Sequence, residues 1–408
     1  MISRGATDVI EHVIRVTDDT PCFQAAYKIP ESMRDAVEAE LMKMLENGIL
    51  QYDPHTAWNS PLIIVKKSDG GIRLVNNFIN LNKKTINEQY TMNNMNELLS
   101  RVAGERFLTK FDLRSAFFQI SLSEESRKFT GFQTPIGQFS YRKLPMGLKC
   151  ASATCQRMID IVLRGAHRYT GSLLDDILVF SKDYDSHLAH VKDVLERLRK
   201  AGLTANTKKC RFASNNVKIL GHIVRDGLIY PNDEKVQVIK SWPVPRTKKH
   251  LKSFLGLVGF FRNYIPHFAT VAYPLTELLA QGKPDKLDWD RPQQIAFDCL
   301  RNALISKPVL RPPDPEKGYI IMADSSTVAL SAILMQRGDD DATNYVISYA
   351  SRKLLPRERK YPIVELELMA IVFGLTKFNR WVYGRPIKVF TDHRSLQWLN
   401  SFEITGLD

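Results

Sequence analysis

Two aspartates stand side by side in the run Ser172-Leu173-Leu174-Asp175-Asp176-Ile177-Leu178-Val179-Phe180. Apolar, strand-forming residues flank them on both sides, which predicts a β-hairpin with both acids at its tip. Adjacent carboxylates repel, so the pair favours a cation beside it. Hard oxygen donors at an open edge suit Mg²⁺. A solvated Asp-Asp turn would read the same way in isolation. The rest of the chain decides between the two. Asp112 ends another apolar run, Phe107 to Asp112. If the two strands are sheet neighbours, Asp112, Asp175 and Asp176 gather at one end. That arrangement is a two-metal site, in which Mg²⁺ ions, or Mn²⁺ as a substitute, bridge carboxylate and phosphate oxygens. One ion activates an attacking 3′-hydroxyl and the other neutralises leaving pyrophosphate, with Asp176 as the weaker third ligand. Phosphoryl transfer of this kind needs positioning and charge stabilisation more than covalent help.

The neighbouring residue types agree with that chemistry. Ser60 to Lys67 reads as a strand, Ser68-Asp69-Gly70-Gly71 as a turn and Ile72 to Val75 as its partner. Lys66 and Arg73 on this hairpin could fold over a triphosphate, Arg as a bidentate fork and Lys as a point charge. A charged edge also guards against aggregation. Phe117 follows Asp112 by five residues. Its ring would sit where a sugar binds and leave no room for a 2′-hydroxyl; plain core packing is the alternative. Gly147 permits close backbone approach to an incoming base pair. A second set, Asp324, Glu367 and Asp392, falls on a predicted strand, helix and strand, and could converge on a second metal site.

The elements that must position these groups follow from periodicity. Residues 1–30 form an extended arm. A helix opens at Pro30, carries Met33, Val37, Leu41 and Met44 at helical spacing and stops at Gly48. Ser115 to Ile120 begins a helix. Another follows Lys149 and runs to about Leu163, and a polar helix spans about 184–201. Lys218 to Val224 is a strand pair around a tight glycine. The Trp242-Pro243-Val244-Pro245 stretch marks a boundary, after which Thr247 caps a helix. A further helix lies near 290–305. The proline-rich run from Pro308 to Pro315 reads as a linker. Beyond it come strands at 319–324, 328–336 and 345–349, a helix near 363–377 and a strand at 387–392, which together make a second α/β domain.

Composition narrows the class. The chain has 408 residues, 57 Lys and Arg against 44 Asp and Glu, and a net charge of +13, which suits a polyanionic partner such as nucleic acid. Its 5 cysteines form no Cys-x-x-Cys pair, so a disulfide framework or zinc knuckle is not expected. No apolar run approaches a membrane span, and no signal-peptide pattern opens the chain. The expectation is a protein of the cytoplasm with no membrane partner.

The motifs carry a family resemblance. Phe111-Asp112-Leu113-Arg114-Ser115-Ala116-Phe117-Phe118-Gln119-Ile120 resembles the first catalytic motif of reverse transcriptases. Leu144-Pro145-Met146-Gly147-Leu148-Lys149 with Gln156-Arg157 resembles the second, and Leu173-Leu174-Asp175-Asp176 the aromatic-x-Asp-Asp box. Leu203 through Phe212 and Leu220-Gly221-His222 are similar to the late palm motif and primer grip. Ser253 to Leu257 and Arg262 to Ile265 are similar to the segment after the palm in gypsy-type LTR retrotransposons. Tyr361 to Val372 and Thr391-Asp392-His393 resemble the RNase H domain of the same Pol polyproteins. The resemblance implies an α+β right-hand polymerase (fingers, palm, thumb, connection) followed by a truncated RNase H-like α/β domain. It assigns 31–230 to interleaved fingers and palm, 231–315 to thumb and connection and 316–408 to the RNase H-like part. By it, Asp112, Asp175 and Asp176 bind two Mg²⁺ ions, and Asp324, Glu367 and Asp392 bind metal in the second domain. Phe117 is the steric gate, and Lys66, Arg73, Met146 and Gly147 line the nucleotide pocket. Lys209 protonates pyrophosphate, with Lys208 competing for that role. The implied partners are an RNA or DNA template with primer, RNA/DNA hybrid and dNTPs, in a dimer or a larger Pol-derived assembly, within the cytoplasm or retroelement particles.

Departures from the family pattern are visible. Leu173 stands where an aromatic is usual, Asn77 and Ile79 replace an Asp and an Arg, and Cys150, Ser152 and Cys155 replace Asn, Pro and Phe. The chain stops 16 residues after Asp392, before the position where the family carries its fourth acid, so weak or absent RNA hydrolysis is expected. The reading is an RNA-directed DNA polymerase. A catalytically silent, retroelement-derived nucleic-acid-binding fragment is the alternative, and a polymerase of another palm family a third.

Overall fold

The computed structural model describes residues 6–67, 70–306, 308–338, 343–394 and 396. The chain divides into two compact units, one of residues 1–98 and 106–214, the other of 99–105 and 215–408.

The first unit is built on a four-stranded antiparallel sheet in the order Arg211–Ser214, Phe107–Asp112, Asp176–Ser181, Thr170–Leu173. Ile177, Leu178, Val179 and Phe180 are all buried. Consecutive residues of a strand face opposite sides, so this strand is covered on both faces, as its unbroken apolar run requires. Helices Ala151–Val162 and Tyr184–Lys200 supply cover. The second of these is capped by the Asp183 carboxylate, which accepts from Ser186 N–H.

The predicted basic hairpin forms as Leu62–Lys66 against Ile72–Asn76. Its turn residues Ser68 and Asp69 lie outside the described residues. The helix after Pro30 runs Arg34–Glu46 and buries Val37, Leu41 and Met44, the spacing seen in the sequence. The helix expected from Ser115 is one 3-10 turn, Ala116–Gln119. From residue 6 onward the amino-terminal arm is extended and is stitched in place. Glu11–His12 pairs with Ser121–Leu122, Val16 bridges Thr85, and Ile14 enters the core.

The second unit opens with a three-stranded meander, Asn216–Ile219, His222–Arg225 and Leu228–Pro231. Helix Lys248–Phe260 is capped by Thr247, whose hydroxyl accepts from His250 N–H. Its Phe254 meets Phe297 of helix Arg291–Ile305 with ring centroids 4.6 Å apart. The proline-rich run after residue 307 is no free linker. Leu310 exchanges both backbone hydrogen bonds with Ile229, and Arg311 N–H donates to Val346 O. A second sheet follows in the order Asn344–Lys353, Ala329–Arg337, Tyr319–Ser325, Ile387–Phe390, the last pair parallel. Helix Ile363–Val382 covers it and runs five residues past its expected end at 377. At Gly374 a Cβ would lie 3.0 Å from Ala332 Cβ and 3.2 Å from Ile321 Cγ2, so a residue without a side chain sets the closeness of helix and sheet. Among the described residues no helix is long and apolar enough to cross a membrane.

Three histidines are buried in these cores. His12 shares a hydrogen bond with Thr154 at 2.8 Å, His222 with Tyr264 at 2.7 Å, and His187 with Thr109 at 2.7 Å. Burial lowers His12 and His222 from 6.5 to about 4, and lowers His187 as well. The unfolded chain therefore binds more protons than the folded one below about 6.5. Stability is fully present above that pH and is lost as pH falls toward 4. Melting temperature measured from pH 8 to pH 4 should hold steady and then decline below about 6.5. A His222→Gln variant should show a shallower decline.

Candidate active site

Sheet register brings the predicted acids together. Asp112 and Asp176 are direct cross-strand partners in the Phe107–Asp112 and Asp176–Ser181 pair. The hairpin ladder closes at Leu173 opposite Asp176, leaving Leu174 and Asp175 as the two turn residues. Leu174 adopts φ +56°, a left-handed conformation that costs a branched residue about 1–2 kcal/mol. Two hydrogen bonds offset that strain. Leu174 N–H donates to Gln156 Oε1 at 2.9 Å, and Leu113 N–H donates to Asp175 O at 3.2 Å. Gln156 is fully buried, and its amide also donates to Ser172 Oγ at 3.0 Å and Asp160 Oδ1 at 2.9 Å. The second motif thus fastens the acid hairpin to helix Ala151–Val162.

The three carboxylates do not play equal parts. Asp112 and Asp175 line a cavity of about 540 Å³. Asp176 is drawn the other way, to Lys110 Nζ at 2.7 Å, and does not line it. Burial raises the Asp176 carboxyl above its ordinary value, the Lys110 ammonium opposes the shift, and the neighbouring carboxylates add to it. Lys209 Nζ lies 3.7 Å from Asp112 Oδ2. The backbone after the first acid is also fixed, with Asn206 N–H donating to Asp112 O at 2.7 Å and Arg114 N–H to Thr204 O at 3.0 Å.

Arg73, Phe117, Met146 and Lys209 line the same cavity, together with Lys67, Lys43, Arg114 and Asn206. Lys66 and Lys208 are not among its lining residues. Val65 faces Arg73 across the basic hairpin, and side chains alternate along a strand. Lys67 therefore shares the Arg73 face and Lys66 the opposite one. Gly147 is also outside the lining. Its requirement is conformational: φ is +96°, and Asn82 pins the loop by donating to Gly147 O at 2.8 Å and accepting from Lys149 N–H at 2.9 Å. Phe117 is half-buried, so it packs on the core and faces the cavity at once.

The second acidic set converges more closely. One carboxylate oxygen from each of Asp324, Glu367 and Asp392 lies within 4.8 Å of the others. Strand Tyr319–Ser325 delivers Asp324, and helix Ile363–Val382 delivers Glu367 from the buried face that also carries Gly374, seven residues on. Asp392 lies two residues beyond the strand Ile387–Phe390, not on it as expected. Glu367 is buried and oriented by Ser325, whose hydroxyl donates at 2.6 Å and whose N–H donates at 3.2 Å. An all-carboxylate donor set of this spacing fits a hard divalent cation. Asp324 and Asp392 border a cavity of about 420 Å³. His267, which sequence reasoning missed, also borders it, with Nδ1 3.4 Å from Asp324 Oδ2.

Fold and site together define a palm-type polymerase core joined to an RNase H-like domain. Residues 64–224 match the family described as reverse transcriptase (RNA-dependent DNA polymerase), and residues 289–389 match the RNase H-like domain found in reverse transcriptase. The chain carries the reverse transcriptase and RNase H-like region of retrotransposon Pol polyproteins. It is 35% identical over 407 residues to the retrovirus-related Pol polyprotein from transposon 297 of Drosophila melanogaster, covering 98% of this chain and 38% of that protein. It is 34% identical to the Pol polyprotein from transposon gypsy of the same organism, covering 94% of this chain and 38% of that one. The chain thus spans well under half the length of these relatives. Its fold matches the foamy viral protease-reverse transcriptase solved in complex with RNA/DNA hybrid, with a TM-score of 0.82 at 22% identity over 98% of this chain and 53% of that one.

The fastening of the acid hairpin gives a direct test. Gln156→Leu removes the acceptor for the Leu174 N–H and should cost about 1–3 kcal/mol of stability. Urea unfolding reads that loss. An unchanged midpoint would mean that the tip is held by its ladder alone.

Proposed function

We propose that this chain is an RNA-directed DNA polymerase that adds dNTPs to a primer 3′-end on an RNA or DNA template. The observation that carries the reading is the meeting of Asp112 and Asp175 with Lys67, Arg73, Phe117 and Lys209 around one cavity. Asp112 and Asp175 would hold two Mg²⁺ ions, with Asp176 contributing least because Lys110 already neutralises it. Bound Mg²⁺ supplies charge stabilisation to the attacking and leaving oxygens. Lys67 and Arg73 grip the triphosphate, the arginine as a bidentate fork. Met146 and Phe117 form the apolar wall against base and sugar. The primer 3′-hydroxyl loses its proton to solvent as its oxygen forms a bond to the α-phosphorus and the bond to pyrophosphate breaks, and Lys209 gives a proton to the departing pyrophosphate.

By the same reading residues 31–230 form fingers and palm, 231–315 thumb and connection, and 316–408 the RNase H-like domain. Asp324, Glu367 and Asp392 form a second divalent-metal centre, suited to an RNA/DNA hybrid phosphodiester. The net charge of +13 favours duplex binding through phosphates, so affinity falls with salt.

Primer extension on an RNA template with dNTPs and Mg²⁺ tests the proposal. Asp112→Asn and Asp175→Asn should each lower the rate at least about a hundredfold, and Asp176→Asn less. Lys67→Ala should raise the KM for dNTP more than Lys66→Ala, because only Lys67 faces the cavity. Phe117→Ala should admit rNTPs. Tight duplex binding with no extension would favour a silent nucleic-acid-binding fragment instead.

A further inference from the structure

We propose that His267 is a nitrogen ligand of the divalent ion held by Asp324, which makes the RNase H-like centre a mixed carboxylate–imidazole site. The inference rests on the reading of Asp324, Glu367 and Asp392 as a metal centre. His267 comes from outside the RNase H-like sheet and helix, from the turn before the short helix Phe268–Val271. Its Nδ1 lies 3.4 Å from Asp324 Oδ2. Adjacent ligands of an octahedral ion with bonds of ~2.1 Å are separated by about 3 Å, so a small side-chain rotation places both atoms on one ion. His267 borders the cavity together with Asp324 and Asp392. Glu367 lies behind them, buried and held by Ser325.

The backbone that carries the imidazole is held there by its surroundings. His267 has φ 48° and ψ 32°, the left-handed region that few side chains enter readily. Two anchors impose this bend. Ala269 N–H donates to Ser351 Oγ at 2.9 Å, and the Arg262 guanidinium donates to Ser351 O. Both fix the turn to strand Asn344–Lys353 of the same sheet that carries Asp324. A nitrogen donor changes which ion the centre prefers. Carboxylates alone suit Mg²⁺, whereas imidazole favours first-row transition metals. The centre should therefore bind Mn²⁺ more tightly than Mg²⁺, with His267 supplying part of the difference.

The test uses the whole chain loaded with Mn²⁺ and pulsed electron paramagnetic resonance to detect ¹⁴N coupled to the ion. Among the described residues no histidine lines the polymerase cavity, so an ion there gives no imidazole coupling. The comparison variant is His267→Gly, since glycine adopts the same backbone angles freely. Expected are an imidazole ¹⁴N coupling in the parent, its loss in His267→Gly and a fall of about tenfold in Mn²⁺ affinity at this centre, with Mg²⁺ binding changed far less. A coupling that is absent in the parent, or that persists in His267→Gly, overturns the proposal. An Asp324→Asn variant separates the two levels. If it leaves the number of bound Mn²⁺ ions unchanged, the centre itself is misread and the inference falls with it. If it removes an ion while the parent shows no ¹⁴N coupling, the centre stands and only the ligand role of His267 is lost.

Discussion

Repulsion among carboxylates is the constraint around which the first unit is arranged. A sheet register that makes Asp112 and Asp176 direct partners, with Asp175 at the adjoining turn, concentrates negative charge at one sheet end. Like charges so placed cannot all stay ionised unless cations stand near them. The fold answers with Lys110 on the same strand as Asp112, two residues back and so on the same face, paired to Asp176. Lys209 approaches Asp112 from the segment before strand Arg211–Ser214. Neutralising Asp176 internally leaves Asp112 and Asp175 as the acids turned to the cavity. The apolar strands that flank them let this charge persist, because they fix the acids in place while their own burial stabilises the sheet.

Much of this was legible in the residues. Strand Phe107–Asp112, the acid hairpin, the basic hairpin and the capped helix after Thr247 all lie where periodicity and turn chemistry put them. Each is specified locally, by alternation, a cap or a breaker. What local signals could not give is what depends on partners distant in the chain. The run Pro308 to Pro315 has a linker's composition, yet Leu310 is taken up by Ile229, some eighty residues away, and prolines do not announce that pairing. The arm before Pro30 is similar: His12 and Ile14 look unremarkable until His12 shares a hydrogen bond with Thr154 and Ile14 N–H donates to Ser126 Oγ.

The site shows the same division at finer grain. The acids were found because spacing and type sufficed. Which lysine of the basic hairpin shares the Arg73 face is different: counting by two from Val65, the cross-strand partner of Arg73, points to Lys67. That count needs the hairpin register, which the turn at 68–71 alone leaves open. Gln156 was visible as part of a motif but not as the residue that holds the tip. Its role depends on a backbone N–H eighteen positions on. His267 carried no sequence signal toward Asp324, because the two meet only through the packing of its turn on strand Asn344–Lys353.

The departures from the family pattern bear on whether such a scaffold can still present its acids. Asn77, in place of an acid, accepts from Ile79 N–H at 3.2 Å, an Asx-type bond at the start of helix Ile79–Lys84, and donates to Tyr27 OH at 3.0 Å. Cys155 is fully buried under the acid hairpin; burial, with Asp175 nearby, pushes its thiol up to about 12 and keeps it neutral. A small neutral side chain there adds no charge to a crowded site. Leu173 still closes the hairpin ladder opposite Asp176, a backbone task that asks nothing of a ring. These exchanges alter side chains around the acids while leaving intact the register and hydrogen bonds that aim them. The position of Asp175 is then set by Leu174 in its left-handed turn and by the Gln156 amide beneath it, neither of which the exchanges touch.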